Sequence, residues 1–177
     1  MTQTQARSAN TRNARLSRAE AQEFLHTEAA LLDAGRHDQW LELFAQDGVF
    51  WVPCNELDND PARCVSIIYD TREALELRVR RLQIGRTVQE ITSRTLHLIS
   101  NVTVEPPGED PTLVAVRAGL ALYEVHARRN ACYPAQCRYL LRRDSAPDSA
   151  GAGWRIVLKK VAFLGNDQFL DNLAFLF

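Results

Sequence analysis

Apolar residues recur at helical spacing in the early part of the chain and in strand-like runs after about Arg94. Ala21, Phe24, Leu25, Leu31 and Leu32 fall on one helical face. Ser17 and Glu20 precede them with S-x-x-E spacing, in which each side chain satisfies the other's free backbone N–H. Gly35 is placed to end that helix, because glycine tolerates the left-handed cap conformation. Trp40, Leu41, Leu43 and Phe44 predict a short second helix with Asp38 as its cap. Asp47-Gly48 then reads as a turn into the strand Val49-Phe50-Trp51-Val52, stopped at Pro53. Residues 55–63 are polar and contain a proline, so a loop is expected, followed by a short edge strand at 65–69. A third helix follows, with Asp70 as N-cap and Glu73 at the capping-box position. Leu75, Val79 and Leu82 line its face and Gly85 closes it. Glu76 and Arg80 have the spacing of a favourable ion pair along it.

Beyond Arg94 the pattern is one of strands, at residues 94–104, 113–126, 136–143 and 154–163. Turn-rich connectors separate them at 105–108 and 144–153. Trp154, Ile156 and Leu158 alternate with Arg155, Val157 and Lys159, the half-buried pattern of an antiparallel strand. Helices first and long strands afterwards predict an α+β fold. Long bent strands, antiparallel or mixed in direction, would curl round the N-terminal helices into a cone. Residues 17–177 are expected to form one domain. Residues 1–16 are polar and carry Arg7, Arg12 and Arg15 without an acid, which predicts a disordered or partner-contacting arm.

Composition narrows the function classes. Hydrophobic residues make up 46% of the 177-residue chain and charged residues 24%, enough apolar material for a real core. A net charge of -1 gives no broad pull toward nucleic acid or membrane, and no apolar run has the length of a membrane span. Cys54, Cys64, Cys132 and Cys137 read as reduced thiols of a cytoplasmic protein.

Candidate chemistry is sparse. His26, His37, His97 and His126 are too far apart in sequence for a local helical ligand pair. Cys132 and Cys137 lack the nearby histidines of a Rieske-type ligand set. No G-x-S-x-G elbow or phosphate-binding glycine loop is present. A ligand set built from distant residues stays open, and so does a pocket chemistry in which His97 or His126 works with Asp33 or Asp47. The alternatives are a hydrogen-bonded strand histidine and, for Asp47, a turn residue. The apolar tail holding Phe169, Leu170, Leu173, Phe175 and Phe177 should dock on its own core or on another chain. Trp51 and Tyr69 are candidates for burial or contact. Arg78, Arg80, Arg81 and Arg86, with Arg128, Arg129, Arg142 and Arg143, read either as solvated faces or as partners for carboxylates across an interface.

Several linked segments carry a resemblance. They are Phe24-Leu25-His26-Thr27-Glu28-Ala29-Ala30-Leu31-Leu32-Asp33, Trp40-Leu41-Glu42-Leu43-Phe44 and Asp47-Gly48-Val49-Phe50-Trp51-Val52-Pro53. Ile68-Tyr69-Asp70-Thr71-Arg72 follows, then Ser93-Arg94-Thr95-Leu96-His97-Leu98-Ile99-Ser100-Asn101-Val102, and finally Trp154-Arg155-Ile156 with Lys159, Lys160 and Val161. In this order and spacing they resemble the small (beta) subunits of aromatic ring-hydroxylating dioxygenases, the Rieske non-haem iron oxygenases. The segment Tyr133-Pro134-Ala135-Gln136-Cys137-Arg138 departs from the glycine-arginine-rich turn of many members.

The resemblance implies a cone-shaped α+β fold like that of nuclear transport factor 2, scytalone dehydratase and ketosteroid isomerase. It implies a large alpha subunit as partner, holding a Rieske 2Fe–2S cluster and a mononuclear Fe(II), in a hexamer of three alpha and three beta chains. A beta homotrimer would form the stem of that hexamer. A ferredoxin and reductase would deliver electrons from NAD(P)H, and the alpha subunit would add dioxygen to an aromatic ring. This chain would then hold no catalytic, cofactor or metal residue and be inactive alone. Trp51, Tyr69, Arg94, His97, Asn101, Trp154, Phe169, Phe175 and Phe177 become candidate interface or structural residues. The Phe50-Trp51-Val52-Pro53 segment resembles benzoate-type members, which implies a carboxylated aromatic substrate for the complex. The alternatives are a stand-alone pocket enzyme on the same cone (a dehydratase, isomerase or hydrolase) and a small-ligand-binding module.

Overall fold

A computed structural model of the chain describes residues 16–55, 60–88, 93–126, 129–144, 153–165 and 175–177. The elements follow in the order α1 (Arg18–Asp33), α2 (His37–Glu42), β1 (Phe44–Pro53), β2 (Ser66–Thr71), α3 (Arg72–Val88), β3 (Arg94–Val104), β4 (Leu113–His126), β5 (Arg129–Arg143) and β6 (Trp154–Phe163). The fold is the expected α+β type. One curved six-stranded sheet, ordered β2-β1-β6-β5-β4-β3, faces the helices. Neighbouring strands run antiparallel except β1 and β6, which are parallel.

The capping box at the start of α1 forms as the sequence predicts. Glu20 N donates to Ser17 Oγ and Ser17 N donates to Glu20 Oε2. The apolar stripe of α1 is buried, and Leu16, at the edge of the expected arm, is buried with it. Gly35 takes a positive φ of 65° just past α1, where its N–H reaches back to Leu32 O.

Several boundaries differ from the sequence reading, each for a local reason. The N-cap of α2 is Arg36 rather than Asp38, whose carboxylate instead accepts from Gln83 on α3. Asp70 is not the cap of α3. It belongs to β2, where it is buried and accepts from Arg78 Nε. Glu76 pairs back to Arg72 at 3.2 Å rather than forward to Arg80, and α3 continues past Gly85. Asp47-Gly48 lies inside β1. Its pairing with β6 jumps from Phe44↔Ile156 to Val49↔Leu158, so the predicted turn is an irregularity within a strand. A Cβ on Gly48 would sit 2.8 Å from both Ala45 O and Ile156 O, so this seam closes only around glycine. β5 begins seven positions before the predicted 136, at Arg129, and runs through Pro134. Pro134 pairs with Ala121 on β4, and on its other side its carbonyl accepts from Leu164 N, just past the end of β6, at 3.0 Å. Its missing N–H therefore falls at the end of the β5–β6 ladder, which begins at Ala135↔Phe163.

A second irregularity decides what lies inside the sheet. Leu141 opposes Ile156 and Leu140 opposes Leu158, so Val157 is an extra residue with no partner on β5. One extra residue reverses the alternation beyond it. Ile156 faces inward, and past Val157 the inward positions are Lys159, Val161 and Phe163 instead of Leu158. A third irregularity sits where Asn101 and Val102 together oppose the single residue between Gly119 and Arg117. Asn101 has a positive φ of 51° there, a conformation asparagine tolerates better than most residues.

Candidate functional site

Residues opposite one another across the strands share a face, so the register places the interior side chains directly. One inward row is Phe50, Lys159, Tyr139 and Val116. Glu28 of α1 points into this row. It accepts from Lys159 Nζ at 2.7 Å, Trp40 Nε1 at 3.0 Å and Tyr139 O–H at 2.9 Å. The Glu28 and Lys159 side chains are each only 2% exposed. Two charges so deeply placed are tolerated because they oppose each other and their remaining hydrogen-bonding capacity is filled. Lys159 also lies about 6 Å from the faces of Trp40, Phe50 and Tyr139, and donates to the Phe177 main-chain oxygen. Burial, and then the Glu28 carboxylate, push the Tyr139 phenol well above its ordinary range, so it remains a donor.

A second polar pair joins β3 to α1. His97 shares its inward row with Leu122 and Tyr133. Its Nδ1 is 2.6 Å from Asp33 Oδ1 and its backbone N–H donates to Asp33 Oδ2 at 3.0 Å. Burial alone would raise the Asp33 carboxyl, but the hydrogen bonds from the His97 ring and backbone outweigh it and hold the group below its ordinary range. The other ring nitrogen, Nε2, lies 3.2 Å from Leu176 O.

Residues 175–177 thus dock against the chain's own interior. Phe175, Leu176 and Phe177 are all buried. The Phe177 ring meets Phe163 edge-on at 4.8 Å and Phe175 at 5.0 Å, and Phe175 lies 5.4 Å from Tyr133. The tail seats its rings on an aromatic wall and aims its main-chain oxygens at Lys159 and His97.

The outer face of the sheet is different. Leu96 opposes Tyr123, Leu98 opposes Ala121 and Arg94 opposes Val125, forming one continuous patch across β3 and β4. Leu96, Leu98, Tyr123 and Val125 are between 45% and 53% exposed, and Arg94 is exposed at the margin. At the opposite edge Trp51 is buried: its Nε1 donates to Ser66 Oγ at 2.9 Å and Lys160 Nζ lies 4.5 Å over its ring. Its cross-strand partner Tyr69 is half exposed. Trp154 is buried beneath Arg143, whose guanidinium carbon lies 5.7 Å from the ring centroid.

An open cleft of about 510 Å³ lies near the β1–β6 seam, lined by Arg72, Arg142, Arg143 and Arg155 with Glu42 and Asp144. Its cations are engaged. Arg72 donates to Leu41 O and Phe44 O, Arg142 makes a bidentate pair with Asp47, and Arg155 lies 3.1 Å from Asp144.

The residues singled out from sequence are therefore dispersed. His97 and Asp33 meet, Asp47 pairs with Arg142 instead, and His126 joins neither acid. Tyr69 and Arg94 are surface residues, Asn101 forms a strand irregularity, and Trp51, Trp154, Phe175 and Phe177 are buried. Phe169, Leu170 and Leu173 lie outside the described residues. Glu28 and Lys159 hold the most polar part of the interior and are not singled out by the sequence reading: Lys159 because the extra residue Val157 leaves no compositional trace, and Glu28 although its helical spacing from Phe24, Leu25, Leu31 and Leu32 places it on the buried face of α1. Among the described residues no group of three His, Cys, Asp or Glu side chains could hold a metal ion.

The family described as Ring hydroxylating beta subunit matches residues 27–169. The benzoate 1,2-dioxygenase subunit beta of Acinetobacter baylyi is 32% identical over 151 residues, covering 82% of this chain and 84% of that protein. The crystal structure of the benzoate 1,2-dioxygenase beta subunit from Burkholderia mallei superposes with a TM-score of 0.70 at 31% identity, over 89% of this chain and 97% of that one. A putative scytalone dehydratase structure from Novosphingobium aromaticivorans shares the fold alone, with a TM-score of 0.62 at 14% identity over 86% of this chain and 88% of that one. The family match spans most of the chain, and the similarity to the benzoate dioxygenase subunits extends across nearly their whole length. The chain therefore belongs to the ring-hydroxylating dioxygenase beta-subunit family.

Proposed function

We propose that this chain is a non-catalytic scaffold subunit that assembles with a large alpha subunit, three of each, in a ring-hydroxylating dioxygenase of aromatic catabolism. The observation that carries the reading is the exposed apolar patch Leu96, Leu98, Tyr123 and Val125, on the face of the sheet turned away from the packed interior. Contiguous apolar surface of this kind is what a subunit contact would cover. Arg94 at its margin suits a bidentate contact with a carboxylate of a neighbouring subunit. The beta chains associate with one another through this face, and residues 17–177 act as one domain with residues 1–16 as an arm toward a partner. The Rieske cluster and mononuclear iron belong to the alpha subunit. A ferredoxin and reductase supply it with NAD(P)H electrons, and the complex works in the cytoplasm on a carboxylated aromatic.

The pocket-enzyme reading has one observation in its favour, the Asp33–His97 pair. Its weakness is that the ring nitrogen a base would use, Nε2, already faces Leu176 O.

The test is assembly. Purified alone, the chain should be colourless and iron-free. Co-expressed with its iron–sulfur large subunit, it should elute as a hexamer by light scattering. Tyr123→Asp together with Leu96→Asp should leave thermal unfolding of the isolated chain nearly unchanged and abolish the hexamer. Iron–sulfur absorbance in stoichiometric amount from the lone chain, or hexamers that tolerate both aspartates, would refute the assignment.

A further inference from the structure

Among the described residues, the large apolar side chains that the sheet leaves exposed fall into two groups, one toward each edge. The first is Leu96, Leu98, Tyr123 and Val125 on β3 and β4. The second lies on β2 and the residue before it, where Val65 is 76%, Ile67 37% and Tyr69 48% exposed. β2 and β3 are the outermost strands of the six. The described residues of β1, β6 and β5, which stand between the groups, add no exposed large apolar side chain. The outer face of β5 and β6 carries Arg138 opposite Lys160 instead. The two groups are therefore separate surfaces.

We propose that the beta chains close a threefold ring head to tail, the β3–β4 group of each copy lying against the β2 group of the next. This rests on the assembly of three alpha and three beta chains and names the surfaces that build it. A twofold pair joins a surface to itself, whereas a threefold rotation sets each surface against a different one on the neighbouring copy. A chain in such a ring therefore needs two unlike surfaces, and this sheet leaves two. Their sizes suit the contact. The exposed fractions correspond to roughly 400 Å² in the β3–β4 group and roughly 300 Å² in the β2 group. An interface of ordinary size covers about 800 Å² on each partner, a little over half of it apolar, so each group can form the apolar centre of one side. Charge orients the contact. Arg94 borders the β3–β4 group, and exposed Glu73, in the first turn of α3 directly after β2, supplies a carboxylate for it. Exposed Arg63, just before Val65 at the other end of the β2 group, would repel it. The Arg94 end of one group is thus set against the Glu73 end of the other.

The experiment uses the full chain in complex with its large subunit, with the photoreactive residue p-benzoylphenylalanine in place of Tyr69. Irradiation should join one beta chain to another, and peptide mapping should find the adduct on residues 94–98 or 121–125 of the neighbour. Separately, Val65→Asp together with Tyr69→Asp should leave thermal unfolding of the isolated chain nearly unchanged. By light scattering it should reduce the hexamer to single alpha–beta pairs. An adduct on the neighbour's β2, or on the large subunit alone, overturns the proposal. So does a hexamer that tolerates both β2 aspartates, or a β2 variant that loses the large subunit itself. If Leu96→Asp with Tyr123→Asp breaks the hexamer and the β2 pair does not, the assembly stands and only the head-to-tail ring fails. If the wild-type complex forms no hexamer, both fail together. Where the label at Tyr69 prevents folding, the same label at Val65, the most exposed residue of the group, decides.

Discussion

The two faces of the sheet treat the same kinds of side chain in opposite ways. On the inner face, charged and polar groups are deeply buried and each meets a directed partner: Glu28 with Lys159, Trp40 and Tyr139, and His97 with Asp33. On the outer face, leucine, tyrosine and valine are left half exposed, and an ion pair such as Arg142–Asp47 is open to water at both ends. Most of the interior is apolar core, so the paired charges inside it and the apolar patch outside it are the two departures from the usual partition. The contrast teaches that the inner face is completed by this polypeptide, down to residues 175–177, whereas on the outer face the chain leaves apolar side chains uncovered. Stability and assembly should therefore separate by face, and substitutions can test that separation.

The largest effect belongs to the inner face. Lys159→Met leaves Glu28 charged in an apolar interior and removes a donor from the Phe177 oxygen. It should cost about 3–5 kcal/mol of unfolding free energy, read by denaturant titration. Adding Glu28→Gln to Lys159→Met should recover a substantial part of that loss, since much of the penalty is the stranded charge. A Lys159→Met protein as stable as wild type would mean that the buried pair is not formed.

Next comes the seam where β1 meets β6. Gly48→Ala places a methyl 2.8 Å from two backbone oxygens, Ala45 O and Ile156 O, neither of which can rotate away. The expected loss is about 1–3 kcal/mol from overpacking, with a lowered melting temperature. An unchanged melting temperature would show that the β1–β6 seam is looser than drawn.

Sequence and structure agree where the determinants are local and part where they are not. The first helix could be read from Ser17, Glu20 and its apolar stripe, because a cap and a period act within a few residues. The meeting of His97 with Asp33 was one of several pairings the sequence allowed, and only the wrapping of β3 against α1 selects it. Lys159 was unreadable as an interior residue. Its position depends on Val157 lacking a partner on β5, a register event set by the neighbouring strand. Pro134 lies inside β5 because its missing N–H falls at the end of the β5–β6 ladder, a position set by the neighbouring strand. The tail could be seen to need a partner, and its own core supplies it for residues 175–177.

Acid should expose the inner face more gently than mutation does. Asp33 titrates below its ordinary range in the fold, held there by hydrogen bonds from His97 against the opposing effect of burial. Its ionised form therefore favours the native state. That contribution is complete above the ordinary carboxylate pKa, near about 4, and is lost as the pH falls through the lower folded value. Asp33→Asn should flatten the stability-against-pH curve below about pH 4 relative to wild type. Parallel curves for the two proteins would show that Asp33 does not gain its hydrogen bonds on folding.

The smallest effect sharpens the contrast most, because it uses the same chemistry as the largest. Arg142 and Asp47 form a bidentate pair at 2.5 and 2.9 Å, closer than many buried pairs, and their side chains are 39% and 59% exposed. The Arg142 guanidinium lowers the Asp47 pKa, so the attraction is real. Water competes for both ends, salt screens them, and two flexible side chains must be held still. Arg142→Ala should therefore cost only about 0.2–1 kcal/mol, shrinking further in 0.5 M salt, against the several expected from Lys159→Met. A loss from Arg142→Ala that matched Lys159→Met and ignored salt would mean that burial does not set the worth of these pairs. The division of labour between the two faces would then fail on its own terms.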